Sequence, residues 1–436
     1  MCSVITIAGS AAAPVQWLQV IGLNVTLSSD CGVREKFGFA PCGAVQIQHV
    51  GDVTLSGMSV SNAGGSGIWL GPGVRNLTID SCNVRDTGGD GIGGEDMGDA
   101  LNPVITNSIV EGTGKIYLQQ PSGLRIKSAL PGTAVIAHNI VRDSSYSCIA
   151  VGWTEGTLKP ADPYAWRYIV SQNLVEDCGQ GILNDFGGIY VSAASYTCQG
   201  PPSTCFIPTL VDSNLVRRVT GYAGAGSGAY TDENVAGVFF SRNAFVDASQ
   251  NALYLHCGNN QTAVNNIFYM AGSAPTRQGS AAVLGSCNTG GVAPADENIS
   301  ATIDLNIFVV NGSFPTLFTP FEIYPTENMT FTRNCYWTVP NAPKFPPENK
   351  LSFAQWQALG MDTNSVVADP LISDAQASNF LLQPGSPALQ LGFEQLDLSH
   401  IGPVGGVQEP QETARVVRAW AGRGRWGGPR ASEVQA

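Results

Sequence analysis

Charge is what this chain has least of. Only 13% of its 436 residues are Asp, Glu, Lys or Arg, against 51 glycines and 26 prolines, so few exposed helical faces are available to carry Lys and Glu. Helix-period apolar runs are almost absent before residues 353 to 359, which excludes a helical bundle and argues against regular crossover helices. No apolar run approaches a membrane span, and no membrane partner is expected. Basic residues are scarce as well: Lys and Arg number 22 against 34 acids, and the net charge of -12 would repel the phosphates of a nucleic acid or an anionic bilayer. Histidine occurs 4 times, with His138, His256 and His400 too scattered for a zinc site, so neither a metal nor another cofactor is expected. The start, MCSVITIAGSAAAP, shows no basic region followed by a long apolar core of the kind a secretory leader carries.

What the chain does have is an asparagine that returns in a short apolar setting. It stands at Asn83, Asn107, Asn139, Asn173, Asn214, Asn243, Asn266, Asn306 and Asn334, each time followed by further apolar residues. The spacing runs from 23 to 41 residues, as when loops of variable length are spliced into a unit near the shorter figure. Each unit reads as a β-branched strand, a turn and usually a Gly-rich stretch before another strand. Short strands with no crossover helix fit an all-β, right-handed parallel β-helix, a solenoid in which each coil bonds to the ones above and below. The asparagines then form a turn ladder, and no chemistry is implied by them. Residues 1–50 read as an N-terminal strand and loop region, 51–402 as the solenoid with a short helix-containing closing segment, and 403–436 as a disordered tail holding Arg415, Arg418, Arg423, Arg425 and Arg430.

The 11 cysteines are too few for a disulfide scaffold and many for a cytosolic chain, which favours an extracellular location. Local bridges Cys31–Cys42, Cys198–Cys205 and Cys257–Cys287 are plausible from spacing, although spacing does not fix connectivity. Acceptor tripeptides for N-glycosylation occur at Asn24, Asn76, Asn260, Asn298, Asn311 and Asn328, hardly above chance.

Aligning the second strand of each coil by its apolar residues puts Ile92, Leu124, Ile149, Ile189, Ala229 and Leu253 inside. One outward column is then Gly93, Arg125, Ala150, Tyr190, Tyr230, Tyr254. The next is Glu95, Lys127, Gly152, Ser192, Asp232, His256, with Trp153 just beyond. Tyr190, Tyr230, Tyr254 and Trp153 offer flat apolar faces with polar handles, suited to sugar rings, though stacked tyrosines can equally do no more than stiffen a sheet. Asp185 directly precedes the strand of Tyr190, one coil from Asp232. Two such acids on one face lie within the range used by glycosidases, one protonating the leaving oxygen and the other acting as nucleophile or base, with His256 orienting or tuning Asp232. Asp185 could instead simply cap its turn. Glu233 is a reserve acid/base at the same place, and Arg125 and Lys127 are candidate substrate cations.

The runs SCIAVGW (residues 147 to 153), LNDFGGIY (183 to 190), AYTDEN (229 to 234) and ALYLHCGNNQTAVNNIF (252 to 268), followed by FAQWQALGMDTNSVVADP, NFLLQPGSPALQLGF and DLSHIG, together resemble glycoside hydrolase family 141 of the pectin-lyase-like superfamily. The resemblance spans residues 147 to 402. It implies hydrolysis of plant cell-wall polysaccharide, of the α-L-fucosidase or xylanase kind, and maps the family's two proposed catalytic aspartates onto Asp185 and Asp232. The chain departs from the family in having Phe186 where Gly often follows the acid. Two alternatives stand beside the hydrolase: a polysaccharide lyase on uronate-containing glycans, for which Arg125 and Lys127 are the relevant cations, and a non-catalytic carbohydrate-binding β-helix protein. The expected partner is a polysaccharide or oligosaccharide, and a monomer is expected.

Overall fold

A computed structural model describes residues 2–32, 42–94, 101–118, 120–127, 132–152, 166–192, 209–232, 235, 237–256, 260–270, 281–286, 300–311, 315–318, 329–346 and 350–405. Their strands stack into three parallel sheets of 11, 12 and 12 strands, visited in turn by successive coils. The first sheet runs from Ile5–Ala8 to Pro315–Phe318, the second from Asn24–Ser28 to Val366–Val367, and the third from Val15–Gln16 to Met329–Thr332. This is a right-handed parallel β-helix, as the repeat predicts, and long connections leave the carboxyl ends of the first-sheet strands Ile149–Gly152, Phe186–Ser192 and Ala281–Ser286.

Alternation dictates the core. Val45, Ile68, Ile92, Leu124, Ile149, Ile189, Ala229 and Leu253 are register partners from coil to coil, and all are fully buried. In the second sheet Phe245, Phe268, Phe308 and Tyr336 form an inward stack with ring centroids 5.5, 5.0 and 5.0 Å apart. Burial of one such column continues that of the next, which is why a single coil has no stability of its own.

The asparagine ladder exists from Asn139 to Asn334. The Asn173 amide donates from Nδ2 to Asn214 Oδ1 at 3.0 Å and to the Ile136 carbonyl at 3.0 Å, while its main-chain N–H also donates to Asn214 Oδ1 at 3.0 Å. The same set recurs at Asn214, Asn243, Asn266 and Asn306. Buried amides are tolerable here because both donor and acceptor are satisfied one coil away. Two expected members do not belong to it. Ser108 occupies the rung below Asn139 and Cys82 the one below that, so Asn83 lies one residue past the ladder and Asn107 one residue before it, where its Nδ2 donates to Asp80 Oδ1 at 2.8 Å. The sequence spacing hides this because Asn107 fills the left-handed turn position, φ 51°, shared by His138, Gln172, Ser213 and Arg242. Asp362 closes the upper end, accepting from Asn334 Nδ2, Trp356 Nε1 and Tyr336 OH at 2.9, 2.8 and 2.9 Å.

The coils begin earlier than residue 51. Ile5–Ala8 pairs with Gly43–Gln48, and Asn24–Ser28 with Ser59–Ala63, so the strands of the N-terminal region are part of the same three sheets. At the other end the helix Phe353–Ala358 has a reciprocal cap between Ser352 and Gln355, as a capping box does. The segment after it folds back over the outer face of the second sheet. A hairpin of Ile372–Asp374 with Asn379–Leu382, and a short helix Pro387–Leu391, bury Phe380, Leu382, Phe393 and Leu396 against Val246, Ile267 and Val309 in a second core.

The sulfurs of Cys2, Cys31 and Cys42 meet at one point, where Cys2 and Cys31 both lie within bonding distance of Cys42 and compete for a single bridge. Cys148–Cys178 is a bridge that local spacing does not suggest, because it joins two coils rather than the ends of one insertion. Cys198, Cys205, Cys257 and Cys287, and the arginine-bearing tail, lie outside the described residues. No helix among the described residues is long and apolar enough to cross a membrane.

Candidate active site

The outward column of the first sheet is assembled as alternation predicts: Gly93, Arg125, Ala150, Tyr190, Tyr230 and Tyr254 are consecutive register partners. Gly152, Ser192 and Asp232 follow in the next outward column. Tyr190 and Tyr230 meet edge to face at 5.1 Å, Tyr230 and Tyr254 likewise at 4.7 Å, and Tyr254 stacks on His256 at 5.5 Å and 13°. These are favourable arrangements for rings with negative faces and positive edges.

Two hydroxyls of the strip end on the two aspartates, one on each. Tyr190 OH donates to Asp232 Oδ2, and His256 Nδ1 lies 2.5 Å from Asp232 Oδ1, so both oxygens of this carboxylate are engaged. Tyr230 OH donates to Asp185 Oδ1 at 3.0 Å, while Tyr146 OH donates to the Asp185 main-chain carbonyl at 2.6 Å. The environments differ sharply: the Asp232 side chain is 9% exposed, and Asp185 is an exposed residue. His256, at 34% exposure, is the solvent-facing end of the Asp232 cluster. A carboxylate on one ring nitrogen fixes the orientation of an imidazole and stabilises its protonated form, the arrangement needed for a general acid or base.

Local sequence explains this geometry. Asp185 adopts φ 61°, a left-handed conformation that Asp accepts at turns. The glycines that follow let the strands close: a Cβ on Gly187 would come within 2.9 Å of Tyr230 main-chain N and Cβ. Phe186 sits inside, its ring 5.3 Å from Tyr146, so the residue after Asp185 fills the corner beneath it.

Burial raises the Tyr146, Tyr190 and Tyr230 hydroxyls well above the ordinary tyrosine range, and the carboxylates push further in the same direction. At Tyr230 the Asp232 and Asp185 charges both contribute, which brings the two acids into the electrostatic reach of one hydroxyl. The three tyrosines therefore stay protonated and act as fixed donors.

One of the two candidate substrate cations is corrected by its surroundings. Arg125 holds its place in the outward column, but its side chain is 1% exposed, with Nε 3.2 Å from Asp90 Oδ2 and Nη2 donating to the Gln120 carbonyl. Asp90, from the preceding coil, also accepts from Ser122 N–H at 2.6 Å. A buried guanidinium is held by such a pair, not offered to solvent. Lys127 is half-buried just past the strand Leu124–Ile126. Glu95, Trp153 and Glu233 lie outside the described residues. Tyr146 is a member of the site that the strand alignment does not contain; counting three residues back from Ile149 and from Ile189 puts it over Phe186, and this aromatic pair preceding the aligned strands is the signal the sequence carries.

These features define a right-handed parallel β-helix protein with a carboxylate and tyrosine strip on one face. A family model described as "Right handed beta helix region" matches residues 19–159. No curated protein matches the chain. Among solved structures, one titled "Glycoside hydrolase" is similar with 15% identity and a TM-score of 0.43, over 60% of this chain and 49% of that one, about half its length. The A-module of the Azotobacter vinelandii mannuronan C-5 epimerase AlgE4 is similar with 13% identity and a TM-score of 0.48, over 84% of this chain and 88% of its own. The Dettilon tailspike protein (gp208) is similar with 14% identity and a TM-score of 0.43, over 83% of this chain and 61% of its own.

Proposed function

We propose that this protein is a glycoside hydrolase acting on plant cell-wall polysaccharide, of the α-L-fucosidase or xylanase kind. The observation that carries the reading is the pairing of two aspartates from successive coils with the hydroxyls of two adjacent outward tyrosines, one acid exposed and the other buried against a histidine. Unequal environments are what separate acid from base in a two-carboxylate hydrolysis. In this reading Asp185 attacks the anomeric carbon or activates the water that does, and Asp232 with His256 supplies the proton to the departing oxygen. Tyr254, half-buried, is the ring of the strip placed to meet a sugar, while Tyr190 and Tyr230, each 4% exposed, hold the two carboxylates through their hydroxyls; Trp153 and Glu233 are further candidate contacts. The burial of Arg125 against Asp90 weighs against a lyase, since eliminating across a uronate needs a cation at the carboxylate. The Cys148–Cys178 bridge supports an oxidising, extracellular setting.

The test is turnover of the purified protein on fucosylated, xylan and pectic glycans, with reducing ends and unsaturated ends scored separately beside an Asp232→Asn variant. New reducing ends that disappear in the variant are expected. Unsaturated ends would replace the hydrolase by a lyase, and silence on every glycan would favour a binding protein.

A further inference from the structure

A second aromatic column faces outward on a different side of the solenoid. In the second sheet Val246, Tyr269, Val309 and Trp337 are register partners on four successive coils. Their neighbours Phe245, Phe268, Phe308 and Tyr336 form the inward stack, so alternation forces Tyr269 and Trp337 out. The closing segment covers much of this face, yet it leaves a cleft of about 290 Å³ along the column, walled on its far side by Asp369, Asp374 and Gln376. Val309, 5% exposed, forms the floor between two half-buried rings.

We propose that this cleft is a second carbohydrate-binding site, which takes two consecutive neutral pyranose residues of a glycan chain and does no chemistry. Tyr269 and Trp337 stand two coils apart, about 9.6 Å at the usual strand spacing, which is roughly the length of two linked pyranose rings. Rings at that interval, with a flat aliphatic floor between them, match the apolar faces of alternate sugars. The carboxylates and the amide opposite them are acceptors and a donor for ring hydroxyls. Asp369 and Asp374 are both exposed, and two negative charges at the rim select a neutral chain against a uronate. Tyr269 feels the second of them: burial, Asp247 and Asp374 together raise its hydroxyl above the ordinary range. The role suited to such a site is to hold an extended polymer beside the solenoid, raising its local concentration at the tyrosine strip.

This inference stands independently of the hydrolase reading, because binding here needs neither aspartate of the strip. It is tested by calorimetric titration of the full chain carrying Asp232→Asn with cellohexaose, xylohexaose and polygalacturonate. A neutral hexasaccharide is expected to lose one equivalent of binding, or to weaken at least tenfold, on Trp337→Ala and on Tyr269→Ala. Gln376→Trp, a change at an exposed position that fills the cleft without touching the core, gives the same loss and separates occupancy from misfolding. Unchanged stoichiometry and affinity in all three variants, or equal loss of polygalacturonate binding, would overturn the proposal. Failure of turnover on every glycan would leave this titration intact.

Discussion

Two columns of polar side chains run along this solenoid, and they differ in where their polar atoms end. The asparagine ladder is closed on itself: each amide is spent on the next coil and on main-chain carbonyls, and Asp362 terminates the series. The tyrosine strip is open: the Tyr190 and Tyr230 hydroxyls leave the column and end on Asp232 and Asp185, the second of them exposed. Both columns repeat in register and both are largely buried, so repetition and burial do not separate structure from function here. The destination of the hydrogen bonds does. A satisfied ladder contributes stability alone, whereas a strip that positions two carboxylates in unequal surroundings can do proton chemistry.

The sharpest way to break the comparison is to exchange one atom in each column. Asp185→Asn and Asp232→Asn should each lower kcat by roughly 10³-fold to 10⁴-fold, within the range for loss of a positioned acid or base, while the melting temperature changes little. Asn214→Leu should do the reverse. It strands the Asn173 N–H groups and the Val170 carbonyl, and removes the donor to Asn243 Oδ1, at a cost of about 4 kcal/mol, with kcat per folded molecule unchanged. Denaturant unfolding beside initial rates checks both, and a ladder variant with impaired chemistry at full folding would dissolve the distinction.

A smaller effect tests the inequality inside the strip. Tyr190→Phe removes a donor from a buried carboxylate and should lower kcat about 10-fold to 100-fold, as befits a charge-assisted hydrogen bond. Tyr230→Phe removes one from an exposed carboxylate that water can replace, and should cost less than 10-fold. Equal losses would mean that Asp185 and Asp232 do not differ in the way their burial indicates.

How much of this is legible in the sequence follows from the same physics. Period-2 alternation makes the inward column from Ile92 to Leu253 and the outward tyrosines readable, because a register slip of one residue would turn every apolar side chain to solvent. The fate of Arg125 is not readable, since its partner Asp90 sits 35 residues earlier and is brought close only by the stacking of coils. Asn83 and Asn107 mislead for a related reason: at a two-residue turn, asparagine suits both the left-handed position and the ladder position, and only the bonded partner tells them apart. Tyr146 and the Cys148–Cys178 bridge escape notice because both join neighbouring coils, a relation that the pattern within a single coil does not hold.

The smallest expected effect distinguishes the columns by pH alone. Tyr190 and Tyr230 have folded pKa values raised above the unfolded value of about 10, so the native state keeps protons that the unfolded chain releases in alkali. Their contribution to stability is complete below that value and is lost progressively as pH rises past it toward the folded pKa. Replacing both by Phe should therefore move the alkaline unfolding midpoint upward by about half a pH unit, followed by circular dichroism between roughly pH 9 and 12. The Asn214→Leu change should lower stability by the same amount at neutral and alkaline pH, because amides do not titrate there. A midpoint unmoved by the double Phe variant would mean that the strip's hydroxyls are hydrated in solution, and the rate losses assigned to Tyr190 and Tyr230 would then have to come from ring packing.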